Sequence, residues 1–373
     1  AKAIAFDSII VSYGDNEDDK QFFERIGKLK KLVIGNFFSK KNNPQPQIEK
    51  ILEEKFTIKV DDQRNKSLIK NTEYYSVSSN PVELLNNAAS VGSVLSNPDS
   101  DGVIRKIEPV FYFKNNYYPS LAMALYSKIN NIQNFIITNS NITNPDKRLN
   151  IPILNKDGVY NYIRWYKPIS QNHLASHKSY SAWQVLKSYE QIKQGKAPLL
   201  KPDTFKDKIV VVGATASALK DIKMTPIGID YPGVDIQSTC IDNIIHNDFI
   251  FKTPLILQLL VVIAAILLTV AGIIFLPPLQ SIIAITALML GYFHICIWLF
   301  SQNIAIDVIT PQVFIINTVI AGVTYRYFTE GKRKEKIQNA MSKYISKNVM
   351  ARILENIDDI KPGGERAEVT VLF

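Results

Sequence analysis

The apolar residues of the chain are spaced in two different ways, and the change falls near residue 250. Before it, short apolar runs alternate with polar stretches at strand and helix spacing. Ala3-Ile-Ala-Phe-Asp-Ser-Ile-Ile-Val11 and Leu32–Phe38 have the length and apolar continuity of buried strands. Between them, Asp18–Lys31 places Phe22, Phe23, Ile26 and Leu29 at helical spacing. Residues 40–75 are polar, rich in Lys and Asn, and carry Pro44 and Pro46, which predicts an insertion or mobile excursion. Val103–Phe113 reads as a strand entering a tight turn at Lys114-Asn115-Asn116-Tyr117. A helix is expected over Pro119–Ile129, with Leu121, Ala122, Leu125 and Tyr126 on one face. Lys208–Gly213 predicts a second buried strand, followed by an Ala/Thr/Ser loop, and Ile236–Ile245 predicts a helix. The pattern is that of a mixed α/β domain over residues 1–250, without an evident internal repeat.

After residue 250 the pattern becomes continuous. From Thr253 to Tyr325 the only formally charged side chain is Asp307. Three apolar runs fill the region, 254–276, 278–300 and 304–328, each near the ~20 residues a helix needs to cross the hydrocarbon core. Pro277-Pro278 and Ser301-Gln302-Asn303 mark the turns between them, so neighbouring runs are expected to be antiparallel. Trp298, Tyr325 and Tyr327 sit near run ends, where amphipathic rings favour the interface. Three successive runs of this length disfavour a buried hairpin in a soluble protein and predict three transmembrane α-helices.

Charge then assigns direction. The chain of 373 residues carries a net charge of +9, but Arg326, Lys332, Arg333, Lys334 and Lys336 follow directly on the last apolar run. By the positive-inside bias that side is cytoplasmic, so residues 1–250 are expected outside the plasma (inner) membrane, in a periplasm or the exterior. The basic surplus is thus topological, and no nucleic-acid partner is expected. Cys240 and Cys296 are too few for a disulfide framework and read as structural. The chain begins at Ala1 and ends within a strand-like run, so both ends are expected to lie inside a longer protein.

Beyond Thr329, Ile337, Met341, Tyr344 and Val349, with Ile353 and Leu354, give an apolar stripe framed by Lys and Glu. This is either a simple amphipathic linker or the face on which a helix pairs with its twin. Gly363-Gly364 then break the helix, and Glu368–Phe373 is a strand-type run. The segment from Tyr344-Ile-Ser to Gly363-Gly-Glu-Arg-Ala-Glu-Val-Thr-Val-Leu-Phe373 resembles the entry of class III adenylate/guanylate cyclase domains, an α+β fold. Lys347 stands where many members have a proline. The resemblance implies a transducer helix at 329–362, the start of a truncated cyclase domain at 363–373, and a homodimer. It also implies conversion of ATP or GTP to a 3′,5′-cyclic nucleotide with two Mg or Mn ions. The family's metal-binding aspartates would fall past Phe373, so this stretch by itself is expected to be inactive.

The outward domain carries a second resemblance. Ala3-Ile-Ala-Phe-Asp7, Asn97-Pro-Asp-Ser-Asp101-Gly-Val-Ile-Arg105, Tyr118-Pro-Ser-Leu-Ala122, Val211-Val-Gly213-Ala-Thr215 and Thr225-Pro226…Pro232-Gly-Val-Asp235 are similar to the CHASE type-two extracellular sensor domains. That family's N-terminal membrane helix and opening strand are expected to precede Ala1. Its order of sensor, three membrane helices and output module agrees with the hydropathy. The same sensors also precede histidine and serine/threonine kinases, which is the alternative output. Residues 329–373 contain no histidine, however, and Lys361-Pro-Gly-Gly-Glu-Arg lacks a kinase glycine-loop pattern.

Asp7, Asp101 and Arg105 are the candidate residues of a sensor cleft for an unidentified signal, with an ordinary structural ion pair as the bland reading. Asp99-Ser-Asp101-Gly102 opens like a calcium loop but lacks its later ligands, which favours a turn. Gly213-Ala-Thr215 after a strand can present N–H groups to an anion, although it lacks the glycines of a phosphate loop. His173 and His177 are spaced for one helix face without a third ligand nearby. No nucleophile elbow, Walker loop or paired CxxC is present. No catalytic, cofactor-binding or metal-binding residue is therefore expected within the chain.

Overall fold

A computed structural model describes residues 1–10, 17–64, 74–154, 160–166, 176–215, 221–341 and 370 of the chain. The chain divides into two compact units, Ala1–Lys252 and a second beginning at Thr253.

The first unit opens with β1 (Ala3–Asp7), α1 (Glu17–Leu29), β2 (Leu32–Ser39), α2 (Pro46–Lys55), β3 (Lys59–Asp62), β4 (Ser76–Ser79), α3 (Val82–Asn87) and β5 (Ser90–Ser93). It continues through β6 (Lys106–Ile107), β7 (Val110–Phe113), β8 (Asn116–Pro119), α4 (Leu121–Asn130), β9 (Asn134–Ile137), β10 (Asn141–Thr143) and β11 (Asn150–Pro152). Then follow β12 (Asn161–Tyr162), α5 (Ala182–Lys193), β13 (Ile209–Gly213), β14 (Ile222–Thr225), β15 (Gly228–Pro232) and α6 (Gly233–His246).

Four strands run parallel in the order β13-β1-β2-β5. Asn36 pairs with Ser93 of β5 and with Ser79 of β4, so these strands flank β2 on opposite edges, and antiparallel β4 continues the edge that β1 leaves. Buried Asn80 fastens that junction. Its side chain accepts the Ile10 N–H at 2.9 Å and donates to the carbonyls of Ser8 at 3.2 Å and Gly35 at 2.9 Å.

Strand alternation sends side chains to two faces of this sheet. Ala3, Ala5 and Val33 join α4 and α6 in one core. Leu32, Ile34 and Val91 join the other, with Phe23, Leu84, Leu85 and the aromatic cluster of Phe38, Phe111 and Tyr118. The small side chains of the first face let the helices approach closely. At Gly92 an added Cβ would lie 2.5 Å from the Ser120 carbonyl oxygen and 2.6 Å from Leu121 Cα at the head of α4.

The structure changes two sequence expectations. β13 is a partly exposed edge strand rather than a buried one, because among the described residues only β1 flanks it. The polar stretch 40–75 contains regular elements. Pro46 starts α2, whose Leu52 is buried, and β3 pairs with β9 in a second sheet of order β11-β10-β9-β3. The expected tight turn joins β7 to β8, with Lys114 and Asn115 both left-handed at φ 46° and 64°, as a type I′ hairpin requires.

The second unit contains α7 (Leu255–Phe275), α8 (Pro278–Ser301) and α9 (Ile309–Met341). Among the described residues, α7 and α8 are the helices long and apolar enough to cross a membrane. Three crossings were expected. The third helix, α9, starts at Ile309 instead of Ile304, carries Gln312 and Asn317 in its first half and Arg326 just past its midpoint, and runs on through the basic stretch. Asp307 accepts the N–H groups of Ile309 at 3.0 Å and Thr310 at 3.1 Å, so its carboxylate caps the head of α9. Ala265, Ile285 and Ile315 form the buried centre of this unit.

Candidate functional site

In open α/β sheets, ligands gather outside the carboxyl ends of the strands, where the strand order reverses. Here β1 connects through α1 to β2 on one side, while its other neighbour is β13, so the reversal lies between β1 and β13. Asp7 ends β1 at that point and stands in register with Gly213 at the end of β13. Alternation turns Asp7 to the same face as Ala3 and Ala5, towards α6. An added Cβ on Gly213 would fall 2.6 Å from Val234 Cγ2 on α6 and 3.3 Å from Asp7 Cβ.

Asp7 is 9% exposed, and among the described residues its carboxyl group has no hydrogen-bond partner. Burial, reinforced by the nearby Asp221 carboxylate and partly offset by Lys223, pushes Asp7 up to about 7. Asp221 and Lys223 pair at 3.3 Å, and the Asp221 carbonyl accepts the Gly233 N–H at 2.9 Å where α6 begins. A Cβ at Gly233 would overlap the Asp221 carboxylate, so glycine lets that charge sit against the helix N-terminus. Buried Cys240 also reaches this corner; burial and then Asp7 push its thiol up. The arrangement can exchange a proton at Asp7 or accept a hydrogen bond from a ligand at the strand ends.

Arg105 and Asp101, the other two candidate cleft residues, form a surface cluster. Arg105 binds Asp101 at 2.7 Å and Asp99 at 3.1 Å, and Lys106 adds a contact to Asp99 at 2.9 Å. The Arg105 hydrogen bond and the Val103 N–H hold the Asp101 carboxyl at about 2. Asp99–Gly102 is a tight turn: the Gly102 N–H donates to the Asp99 carbonyl at 2.9 Å, with Gly102 at φ 82°. Arg105 thus pairs with Asp99 and Asp101, while the charged neighbours of Asp7 are Asp221 and Lys223.

Two polar clusters carry no simple sequence signature. Buried Asp235 receives the Tyr231 hydroxyl, the Ser176 N–H at 3.1 Å and His177 Nδ1 at 3.0 Å. His177 Nε2 lies 3.7 Å from Asp242, which also pairs with His246 at 2.9 Å. Burial works against the His177 charge, but the two carboxylates outweigh it and raise the imidazole above its ordinary value. Elsewhere, the Tyr74 hydroxyl donates to buried Glu108 at 2.7 Å, and burial pushes Glu108 up to about 7. The Tyr231…Asp235 pair has one-turn spacing, but nothing in sequence joins it to His177.

His173 lies outside the described residues, as do Tyr344, Val349, the Lys347 position, Gly363-Gly364 and residues 371–373. Ile337 is exposed on α9, and Met341 is its last residue.

The profile of the CHASE2 domain matches residues 1–274. No curated protein and no solved structure matches the chain. A mixed α/β unit followed by two apolar helices agrees with a membrane protein carrying an extracellular sensor. CHASE2 domains are extracellular sensors of signalling proteins such as cyclases and kinases, and this chain belongs to the CHASE2 domain family.

Proposed function

We propose that the chain is the sensing and membrane portion of a class III nucleotide cyclase, with a signal read outside the cell and an enzyme driven inside it. The observation that carries this reading is the sequence Gly363-Gly-Glu-Arg-Ala-Glu-Val-Thr-Val-Leu-Phe373, placed after a helix that leaves the apolar region through a basic cluster. CHASE2 membership supports the sensing half. In this reading α9 makes a third crossing of the plasma membrane, residues 1–250 lie outside and residues 329–373 lie in the cytoplasm. The chain pairs with a second copy through the stripe of Ile337, Met341, Tyr344 and Val349. The strand ends around Asp7 receive the signal.

A protein carrying the complete cyclase domain would close the ribose 3′-oxygen onto the α-phosphate of ATP or GTP and release pyrophosphate. Two Mg or Mn ions would be held by aspartates of that domain. Membranes bearing such a protein should form cyclic AMP or cyclic GMP with Mg or Mn, and membranes bearing residues 1–373 alone should form none. No product from the complete protein, with or without its first 328 residues and under either metal, would overturn the cyclase reading in favour of a kinase output.

A further inference from the structure

The helix α5 is built the wrong way round for a surface helix of a soluble domain. At 100° per residue, Val185, Leu186, Tyr189 and Ile192 share an arc of about 120°. That arc faces outward, with Leu186 64% exposed and Tyr189 54% exposed, and Trp183 beside it 65% exposed. The packed side is polar. Ser188 is buried, and its hydroxyl accepts the Leu200 N–H at 2.9 Å, while Gln191 accepts the Leu199 N–H at 2.9 Å. A capping box at Ser181 and Gln184 fixes the start of the helix, so this orientation belongs to a well-formed element.

The charge of that helix and of the segments that flank it in the chain names its partner. Lys178, Lys187, Lys193, Lys196, Lys201, Lys206 and Lys208 are all exposed, against Glu190, Asp203 and Asp207. Two copies meeting face to face would bring like charges together. Anionic headgroups would instead neutralise them while apolar residues enter the acyl boundary, which is how interfacial helices with Trp and Tyr bind. The chain also enters its first apolar helix at Leu255, three residues after this unit ends at Lys252.

We propose that α5 lies on an anionic lipid surface, with Leu186, Tyr189 and Ile192 in the interface and the surrounding lysines on headgroups. The test uses the full chain in vesicles of phosphatidylcholine alone, or mixed equally with phosphatidylglycerol. A nitroxide is placed by Leu186→Cys or, on the packed side, by Gln184→Cys. Cys240 and Cys296 are buried, and the unsubstituted chain checks that they stay unlabelled. At Leu186 the ratio of oxygen to nickel-chelate collision should rise severalfold in the phosphatidylglycerol vesicles, while at Gln184 it should not. Lys193→Glu, Lys196→Glu and Lys201→Glu together should abolish the rise. A label that stays in water in both vesicles would overturn the proposal, and so would equal insertion without anionic lipid. Dipolar broadening at Leu186 that disappears on dilution with unlabelled chain would assign the face to a second copy instead.

Discussion

Asp7 and Gly213 face each other in register at the ends of adjacent parallel strands, and the missing side chain of Gly213 lets α6 close over the Asp7 carboxyl group. That closure is why Asp7 is buried without a hydrogen-bond partner among the described residues.

The pH consequence follows from the raised value. Asp7 moves from 3.8 to about 7 on folding. Its contribution to stability is fully present below the unfolded value and is lost as pH rises through the folded one. Asp7→Asn should therefore raise the unfolding temperature at about pH 8 and leave it nearly unchanged at about pH 4, with a ceiling on the order of 4 kcal/mol. Glu108 has the same sign, so Glu108→Gln should remove a further part of the decline. Thermal unfolding across pH, followed by near-ultraviolet circular dichroism, measures both. An unchanged Asp7→Asn profile would mean that Asp7 is charged in the folded state.

Glycine positions separate the two helices of the same core face. Gly213→Ala pushes on the Val234 side chain, which can yield in part, and should cost about 1–3 kcal/mol. Gly92→Ala pushes on the backbone of Ser120 and Leu121, which cannot turn away, and should cost more. Denaturant midpoints rank the two variants. The reverse order would mean that α6 is held more rigidly than α4.

Much of this architecture was readable from periodicity, because β1, β2, α1 and α4 are local and strongly patterned. The α2–β3 excursion was obscured, since Lys and Asn on its exposed positions hide the few buried anchors such as Leu52. Asp7 was legible as a candidate acid within the run Ala3–Val11, but not as the residue at which the strand ends. Its neighbour Asp221 was not legible, because β13 reaches β1 only through long-range pairing and Asp221, at the foot of the separate hairpin β14–β15, is brought near Asp7 only by the tertiary fold. The edge position of β13 escaped for the same reason: Ile209–Val212 reads as buried wherever the strand sits. The third apolar run was legible as a helix, but its polar residues were averaged into the apolar stretch, and residues 329–341 were read as a separate helix instead of its continuation.

Ion pairs of similar geometry should differ widely in effect. Arg105 and Asp101 meet at the surface, where water and salt screen them, so Arg105→Ala should leave the unfolding temperature unchanged in physiological salt. Arg64 and Asp62 meet at 2.6 Å with both side chains largely buried, and Tyr117 also donates to Asp62 at 2.6 Å. Arg64→Ala strands that carboxylate and should cost about 3 kcal/mol. Equal unfolding temperatures for the two variants would show that the Arg64 pair is as well solvated as the surface one.

The cluster around Asp235 combines both behaviours. Asp235→Ala removes the acceptor of Tyr231, Ser176 and His177 together and should cost about 3–5 kcal/mol through the buried groups left unpaired. His177→Ala acts through charge. A histidine raised on folding contributes stability that is fully present below its unfolded value near 6.5 and is lost as pH rises through the folded value. The variant should therefore be most destabilised at about pH 5 and approach the wild type at about pH 9, apart from lost packing. Asp242 keeps His246 as a partner in that variant, so the difference reports mainly on Asp235. Proton resonances of the imidazole, followed across pH, should show His177 titrating above 6.5 in the wild type and shifting down in Asp235→Asn. A loss in His177→Ala that is the same at both pH values would assign the role of the ring to packing and remove charge from the account.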